Sequence, residues 1–212
     1  MAQTCTEQHR CCRELGPAHS DSTLAVMQTR RRGIVRSMDA IDELLANNAN
    51  FTARHGQRHM DVRPSLHLAV VACMDSRLDI FAALGLNSGE AHVLRNAGGV
   101  VTDDVVRSLA ISQRRLGTTR IMLIHHTDCG LQGITDDGFR AELQRDTGVA
   151  PAFAIESFTD VDADVRQSMI RIQRSPFIAH RGLVRGFVYE TNTGHLREVE
   201  RERGFQIEDR DR

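Results

Sequence analysis

Short, mostly apolar runs alternate with longer stretches of mixed polarity along the central part of the chain. Such runs of four to eight residues, with β-branched residues among them, are typical of buried strands. The predicted strands cover 66–73, 91–94, 120–125, 186–190 and 195–199, with a turn at 191–194. The turn lies between the last two strands, which are therefore predicted to form a hairpin.

The stretches between these runs place apolar residues at helical spacing. They predict helices over 38–50, 102–116, 139–145 and 160–174, the first of which is expected to pack one apolar face on a core. The second helix has clear ends, because Thr102 caps its start and Gly117 closes it. Alternating strands and helices predict an α/β fold, with a central, mostly parallel β-sheet flanked by helices and an N-terminal helical extension.

The 212 residues are predicted to divide into three parts. Residues 1–37 are polar and rich in Arg, which predicts a flexible N-terminal extension. Residues 38–200 form one catalytic domain, and residues 201–212 form a charged C-terminal tail. The extension contains Cys5, Cys11 and Cys12, which lack the spacing of a metal site and are interpreted as incidental.

Composition and charge exclude several classes of function. The formal net charge is -1, so there is no basic field to attract nucleic acid, and no apolar run is long enough to span a membrane. All 27 basic residues are Arg, which excludes Schiff-base chemistry on Lys. The five cysteines are an odd number and no secretory signal is visible, which predicts a cytoplasmic protein.

Residues that bind metals follow two of the predicted strands. Cys73 ends the first strand, and the motif His126-x-x-Cys129 follows the third. Ligands of open α/β sheets bind beyond the carboxyl ends of the strands. Two cysteines and one histidine can hold Zn²⁺ and leave its fourth position for water, as in catalytic zinc sites. The alternative interpretation is a buried free cysteine beside a chance motif.

An acid and a guanidinium follow the first candidate ligand at fixed spacing. Asp75 and Arg77 lie two and four residues after Cys73. An ion pair with Arg77 would hold the Asp75 carboxylate back from the metal, where it can accept a hydrogen bond from zinc-bound water. The alternative is an ordinary surface ion pair at a helix start, which contributes little.

Taken together, Cys73-x-Asp75-x-Arg77, the turn at 95–99 and His126-x-x-Cys129 resemble the β class of carbonic anhydrases. The similarity spans about 38–199 and is greatest to the small bacterial and archaeal branch. It implies one Zn²⁺ per subunit, held by Cys73, His126 and Cys129, with Asp75 and Arg77 orienting a zinc-bound hydroxide. It also implies reversible hydration of carbon dioxide to bicarbonate, and a homodimer or tetramer.

Three other functions stay open from the sequence. Carbonyl sulfide hydrolases have the same ligands and the same Asp-Arg pair, and would convert carbonyl sulfide to hydrogen sulfide and carbon dioxide. In a structural zinc domain, Asp75 would close the metal site as a fourth ligand. In a redox sensor, Cys73 and Cys129 would form a reversible pair. Within the enzyme hypothesis, the family shows closed states in which Asp75 would be the fourth ligand.

The glycines near the candidate ligands are candidates for the substrate pocket. Backbone N–H groups around Gly98, Gly99 and Gly130 would be placed to bind an oxygen of a small linear substrate. The alternative is that these glycines serve only the geometry of the turns.

Overall fold

The computed structural model describes residues 39–55 and 59–201. Its central feature is a five-stranded sheet in the order β2-β1-β3-β4-β5. Strands β1 to β4 are parallel, and β5 runs antiparallel to β4. The strands are β1 (Leu68–Cys73), β2 (Ala91–Asn96), β3 (Arg120–His126), β4 (Val184–Tyr189) and β5 (Leu196–Val199). The predicted α/β fold with a mostly parallel sheet is confirmed.

Five α-helices accompany the strands in the described residues: α1 (Ala40–His55), α2 (Ile80–Leu84), α3 (Asp103–Leu116), α4 (Asp136–Thr147) and α5 (Val161–Arg174). The predicted ends of α3 are confirmed, since Thr102 accepts a hydrogen bond from the Val105 amide and Gly117 is left-handed. Helix α4 begins three residues before the predicted start, because the Thr135 hydroxyl caps it. Helix α2 was not predicted, because five residues are too short for a helical period to be visible.

Helix α1 has the predicted amphipathic sequence, but none of its residues is buried. Ile41, Leu44 and Leu45 of this helix are each more than 60% exposed. The packing of this face on a core stays a prediction. Within the ranges that the structure describes, no helix has the length and apolarity that a membrane crossing requires. The predicted extension 1–37 with its three cysteines, and residues 202–212 of the predicted tail, lie outside the described residues.

Apolar side chains pack on both faces of the sheet and form two clusters. On one face, Ile121 and Leu123 of β3 pack with residues of α3 and α5. The next residue of β3, Ile124, points to the other face and packs in the cluster that contains Cys73 and Cys129. Both candidate cysteine ligands are therefore part of an apolar cluster on this second face of the sheet.

A tight turn follows β2 and lies against the end of β1. Strand β2 continues through Asn96, two residues beyond its predicted end, and the turn occupies Ala97–Gly99. Gly98 and Gly99 have φ angles of 76° and 75°. A Cβ atom on Gly99 would lie 2.8 Å from the backbone nitrogen of Cys73. Glycine is required at position 99, because both its left-handed backbone and its contact with Cys73 exclude a side chain.

Candidate metal centre

The three predicted metal ligands meet at the carboxyl edge of the sheet. Cys73 is the last residue of β1, His126 is the last residue of β3, and Cys129 lies in the loop that follows. Because β1 and β3 are parallel neighbours, their ends lie side by side. The donor atoms of the three residues all lie within 4.8 Å of one another, and all three residues are buried. The structure thus brings together residues that are more than 50 positions apart in sequence.

The donor set fits a zinc ion. The ring Nδ1 of His126 donates a hydrogen bond of 2.8 Å to the Thr127 carbonyl, so Nε2 carries the free lone pair. This Nε2 atom is buried and has no hydrogen-bond partner among the described residues. The Sγ atoms of Cys73 and Cys129 are 4.0 Å apart. Two sulfurs on a tetrahedral zinc, each at about 2.3 Å, would be separated by about 3.8 Å.

The short loop between His126 and Cys129 is held in a specific conformation. Asp128 has a φ of 55°, a left-handed value that Asp tolerates better than most residues. Its carbonyl accepts a hydrogen bond of 3.0 Å from the Arg77 guanidinium. The Thr127 hydroxyl contacts Thr191 of the β4–β5 turn, at 3.1 Å from its hydroxyl. These contacts hold the loop so that the Cys129 side chain points toward His126.

Asp75 and Arg77 form a two-armed ion pair beside the ligands. Arg77 Nε donates to Asp75 Oδ1 at 3.0 Å, and Nη2 donates to Oδ2 at 2.8 Å. The hydrogen bonds from Arg77 hold the pKa of the Asp75 carboxyl well below its usual range, so the carboxylate stays charged at neutral pH. Its Oδ2 atom lies 3.8 Å from Nε2 of His126. The carboxylate is therefore next to the donor set while both of its oxygens are bound to Arg77.

Protons compete with a metal for this site. The hydrogen bond between the two thiols lowers the pKa of Cys73, and the same bond raises the pKa of Cys129. Burial lowers the pKa of His126, but the neighbouring Cys73 thiol and the hydrogen bond to the Thr127 carbonyl outweigh burial and raise it. Coordination requires two thiolates and a neutral imidazole, so zinc uptake must release protons. Zinc affinity is accordingly expected to fall as the pH is lowered.

Arg95 is a part of the site that the sequence interpretation missed. Its guanidinium donates two hydrogen bonds to the Cys73 carbonyl, at 2.9 and 2.7 Å, and one to the Asp75 carbonyl, at 2.6 Å. It therefore fixes the backbone that carries both a ligand and the acid. The prediction treated Arg95 only as the start of a turn, and no local pattern indicates that an arginine of β2 reaches across to the end of β1.

The three candidate pocket glycines lie in different surroundings. Gly98 and Gly99 are buried in the turn against β1, and a Cβ atom on Gly98 would lie 2.7 Å from the Leu131 side chain. Gly130 directly follows Cys129 and is exposed, with no atom within 4 Å of the position a Cβ would take. Close packing thus explains the first two glycines, whereas packing does not explain Gly130.

A mostly parallel sheet that ends in two cysteines, one histidine and a clamped carboxylate has the donor set of a catalytic zinc site, in which the protein supplies three ligands. A family model described as carbonic anhydrase matches residues 68–150. The chain belongs to the β-carbonic anhydrase family, in which the carbonic anhydrases are zinc-dependent lyases.

Three similar proteins indicate the range of this family. β-Carbonic anhydrase 1 of Mycobacterium tuberculosis is 51% identical over 162 residues, which cover 76% of this chain and 99% of that protein. The crystal structure of carbonic anhydrase from Streptococcus mutans is 43% identical, with a TM-score of 0.73 and coverage of 77% and 99%. A carbon disulfide hydrolase of Acidithiobacillus thiooxidans is 33% identical over 162 residues, covering 66% of this chain and 81% of that protein.

Proposed function

We propose that this protein catalyses the reversible hydration of carbon dioxide to bicarbonate at a zinc ion held by Cys73, His126 and Cys129. The observation that carries the proposal is the free lone pair of His126 Nε2, which lies among two thiols and beside a carboxylate that Arg77 holds. The similarity to carbonic anhydrases at 51% and 43% identity supports the same reaction.

The roles of the residues follow from their contacts. A zinc ion held by Cys73, His126 and Cys129 would supply a nucleophile at neutral pH by lowering the pKa of a water molecule. Asp75 would accept a hydrogen bond at this site and so orient the attacking group toward the substrate carbon. Arg77 holds both carboxylate oxygens, and would thereby keep Asp75 from becoming a ligand itself.

The substrate would reach the site from an adjoining apolar cavity. The cavity is lined by Met74, Ala97 and Leu131, which are neighbours in sequence of Cys73, Gly98 and Gly130. An apolar wall suits a small linear molecule of low polarity. The backbone N–H groups of Gly98, Gly99 and Gly130 are the proposed donors for the oxygen on which negative charge develops.

A second candidate activity is the hydrolysis of carbonyl sulfide, the sulfur analogue of carbon dioxide, at the same site. Carbonyl sulfide is linear and is attacked at carbon like carbon dioxide, and relatives at 33% identity are carbon disulfide hydrolases. The cavity favours neither substrate, because its apolar wall accepts an oxygen or a sulfur atom. The higher identity to the carbonic anhydrases places carbon dioxide first.

Paired assays on zinc-loaded protein test the choice of substrate. We expect fast carbon dioxide hydration by stopped flow and slow release of hydrogen sulfide from carbonyl sulfide. The Cys73→Ser variant serves as the blank in both assays, because it lacks one ligand. Faster turnover of carbonyl sulfide would move the function to the alternative, and no turnover of either substrate would refute an enzymatic role.

We also propose that the chain self-associates as a homodimer or as a tetramer built from dimers. Strand β2 lies at an edge of the sheet, and none of its six residues is buried. An edge strand of this kind offers unpaired backbone groups to a second chain. Sedimentation equilibrium at micromolar concentration is expected to give two or four times the chain mass. A single-chain mass at that concentration would contradict the proposal.

A further inference from the structure

We propose that Asp164 of α5 and His125 of β3 form a positioning pair for the metal centre. The proposal rests on the zinc site of the proposed function and extends it to two residues that contribute no ligand atom. The pair is inferred to hold the glycine turn at Ala97–Gly99 against Cys73, and so to fix the place of that ligand relative to His126.

The imidazole of His125 lies between a carboxylate and a backbone carbonyl. Its ring Nδ1 is 3.1 Å from Asp164 Oδ2, and its Nε2 is 3.1 Å from the Gly99 carbonyl. The His125 side chain is fully buried and that of Asp164 is 12% exposed. Neither Nδ1 nor Oδ2 makes a well-aligned hydrogen bond within the described residues, and their 3.1 Å approach is an ion-pair contact. Each of these two atoms therefore has only the other to satisfy it.

The partners of His125 fix the orientation of its ring. A carbonyl oxygen only accepts hydrogen bonds, so Nε2 donates to the Gly99 carbonyl. On the other side of the ring, Nδ1 lies 3.1 Å from Asp164 Oδ2. With both ring nitrogens occupied, His125 is fixed in one orientation and holds the Gly99 carbonyl in place.

The Gly99 backbone transmits this constraint to the first ligand. The virtual Cβ of Gly99 lies 2.8 Å from the Cys73 nitrogen and 3.0 Å from the Ile124 carbonyl. The turn thus lies on the ends of β1 and β3, the two strands that carry Cys73 and His126. Without the hydrogen bond to His125, the turn would be less firmly held against these strand ends. The backbone that packs against Cys73 would then move, and the position of this ligand would be less well fixed.

His125 and His126 are consecutive residues of β3, so their side chains face opposite sides of the sheet. A residue of α5 on one side can therefore influence the position of a ligand on the other. Along β3, alternate residues face opposite sides of the sheet, and Ile121 and Leu123 pack on the α5 side. The His125 side chain lies on the same side as Ile121 and Leu123. The His126 side chain lies on the opposite side, with Cys73 and Cys129. A buried polar pair does little to stabilise the fold, because apolar residues of the same volume often stabilise a core equally well.

The hydrogen bond from His125 to the Gly99 carbonyl therefore points to a role beyond packing.

The test compares Asp164→Ala with Asp162→Ala on the same helix. Both residues are aspartates in the first turn of α5, so each substitution removes the same side-chain group at the same helix end. Asp162 instead pairs with Arg197, at 2.8 Å. We expect Asp164→Ala to release zinc to a chelator about 10-fold faster and to lower kcat about 10-fold with KM nearly unchanged. We expect Asp162→Ala to stay within about twofold of wild type in all three quantities.

A spectroscopic measurement and a conservative variant separate positioning from loss of stability. Cobalt in place of zinc should show a shifted visible absorption spectrum in Asp164→Ala and an unchanged one in Asp162→Ala. Asp164→Asn should restore the wild-type spectrum and release rate, because the amide can donate to Nδ1 while Nε2 stays bonded to Gly99. If Asp164→Ala does not fold, Asp164→Leu takes its place, since it fills the space without a polar atom.

Two results would overturn the positioning role. One is a folded Asp164→Ala or Asp164→Leu protein whose cobalt spectrum and zinc release match those of Asp162→Ala. The other is an Asp164→Asn protein as impaired as the apolar variant. The spectrum and the release rate need no substrate, so they decide the inference even if wild-type protein fails to hydrate carbon dioxide.

Discussion

Replacing His126 with Ala is expected to remove bound zinc and to reduce carbon dioxide hydration to the background rate. The substitution deletes the Nε2 donor, and the two remaining thiols cannot hold the ion in a three-ligand site. Without the metal, the reaction depends on bulk water, whose pKa lies far above that of zinc-bound water. The expected loss is about a thousandfold or more, measured by stopped flow together with metal analysis of the purified protein.

The matched control for this experiment is His195→Ala. His195 lies in the turn between β4 and β5 and is exposed, so its loss leaves the ligand cluster intact. The control protein should contain one zinc per chain and hydrate carbon dioxide at the wild-type rate. A His126→Ala protein that retained stoichiometric zinc and measurable turnover would show that the metal is held elsewhere.

The sequence predicted the sheet because its signals are local. Each buried strand is a short apolar run, and the ends of α3 are set by Thr102 and Gly117, which act within one helical turn. Helix α2 escaped prediction since a five-residue helix has no period to detect. For α1, apolar spacing predicts that the helix has an apolar face, but it does not predict what covers that face.

The sequence predicted those parts of the candidate site whose residues are close together in the chain or come directly after a strand. Asp75 and Arg77 are two residues apart, and the three ligands follow strands whose parallel order brings their ends together. The contacts of Arg95 and Asp164 were not predictable, because each joins segments 20 or more residues apart through a side chain. Such contacts depend on which rotamer fits a particular space, and no periodic pattern in the chain encodes that choice.

Asp75→Asn is expected to keep the zinc and lose the activity. Asn has the same size and shape, so the ligands remain in place and metal analysis should still give one zinc per chain. Its amide nitrogen, however, cannot accept a hydrogen bond from Arg77, so one arm of the ion pair is lost. An amide also accepts a hydrogen bond more weakly than a carboxylate. We expect kcat to fall about 100-fold, the upper range for a residue that acts beside the ligands.

The matched control is Asp79→Asn, which removes the same charge four residues further along. Asp79 caps α2 by accepting a hydrogen bond from the Ala82 amide, and Asn caps a helix equally well. Its stability and turnover should therefore equal those of the wild type. An Asp75→Asn protein with wild-type turnover would mean that the carboxylate does not direct the nucleophile, and the ion pair with Arg77 would then serve only to hold the Asp128 carbonyl and the ligand loop.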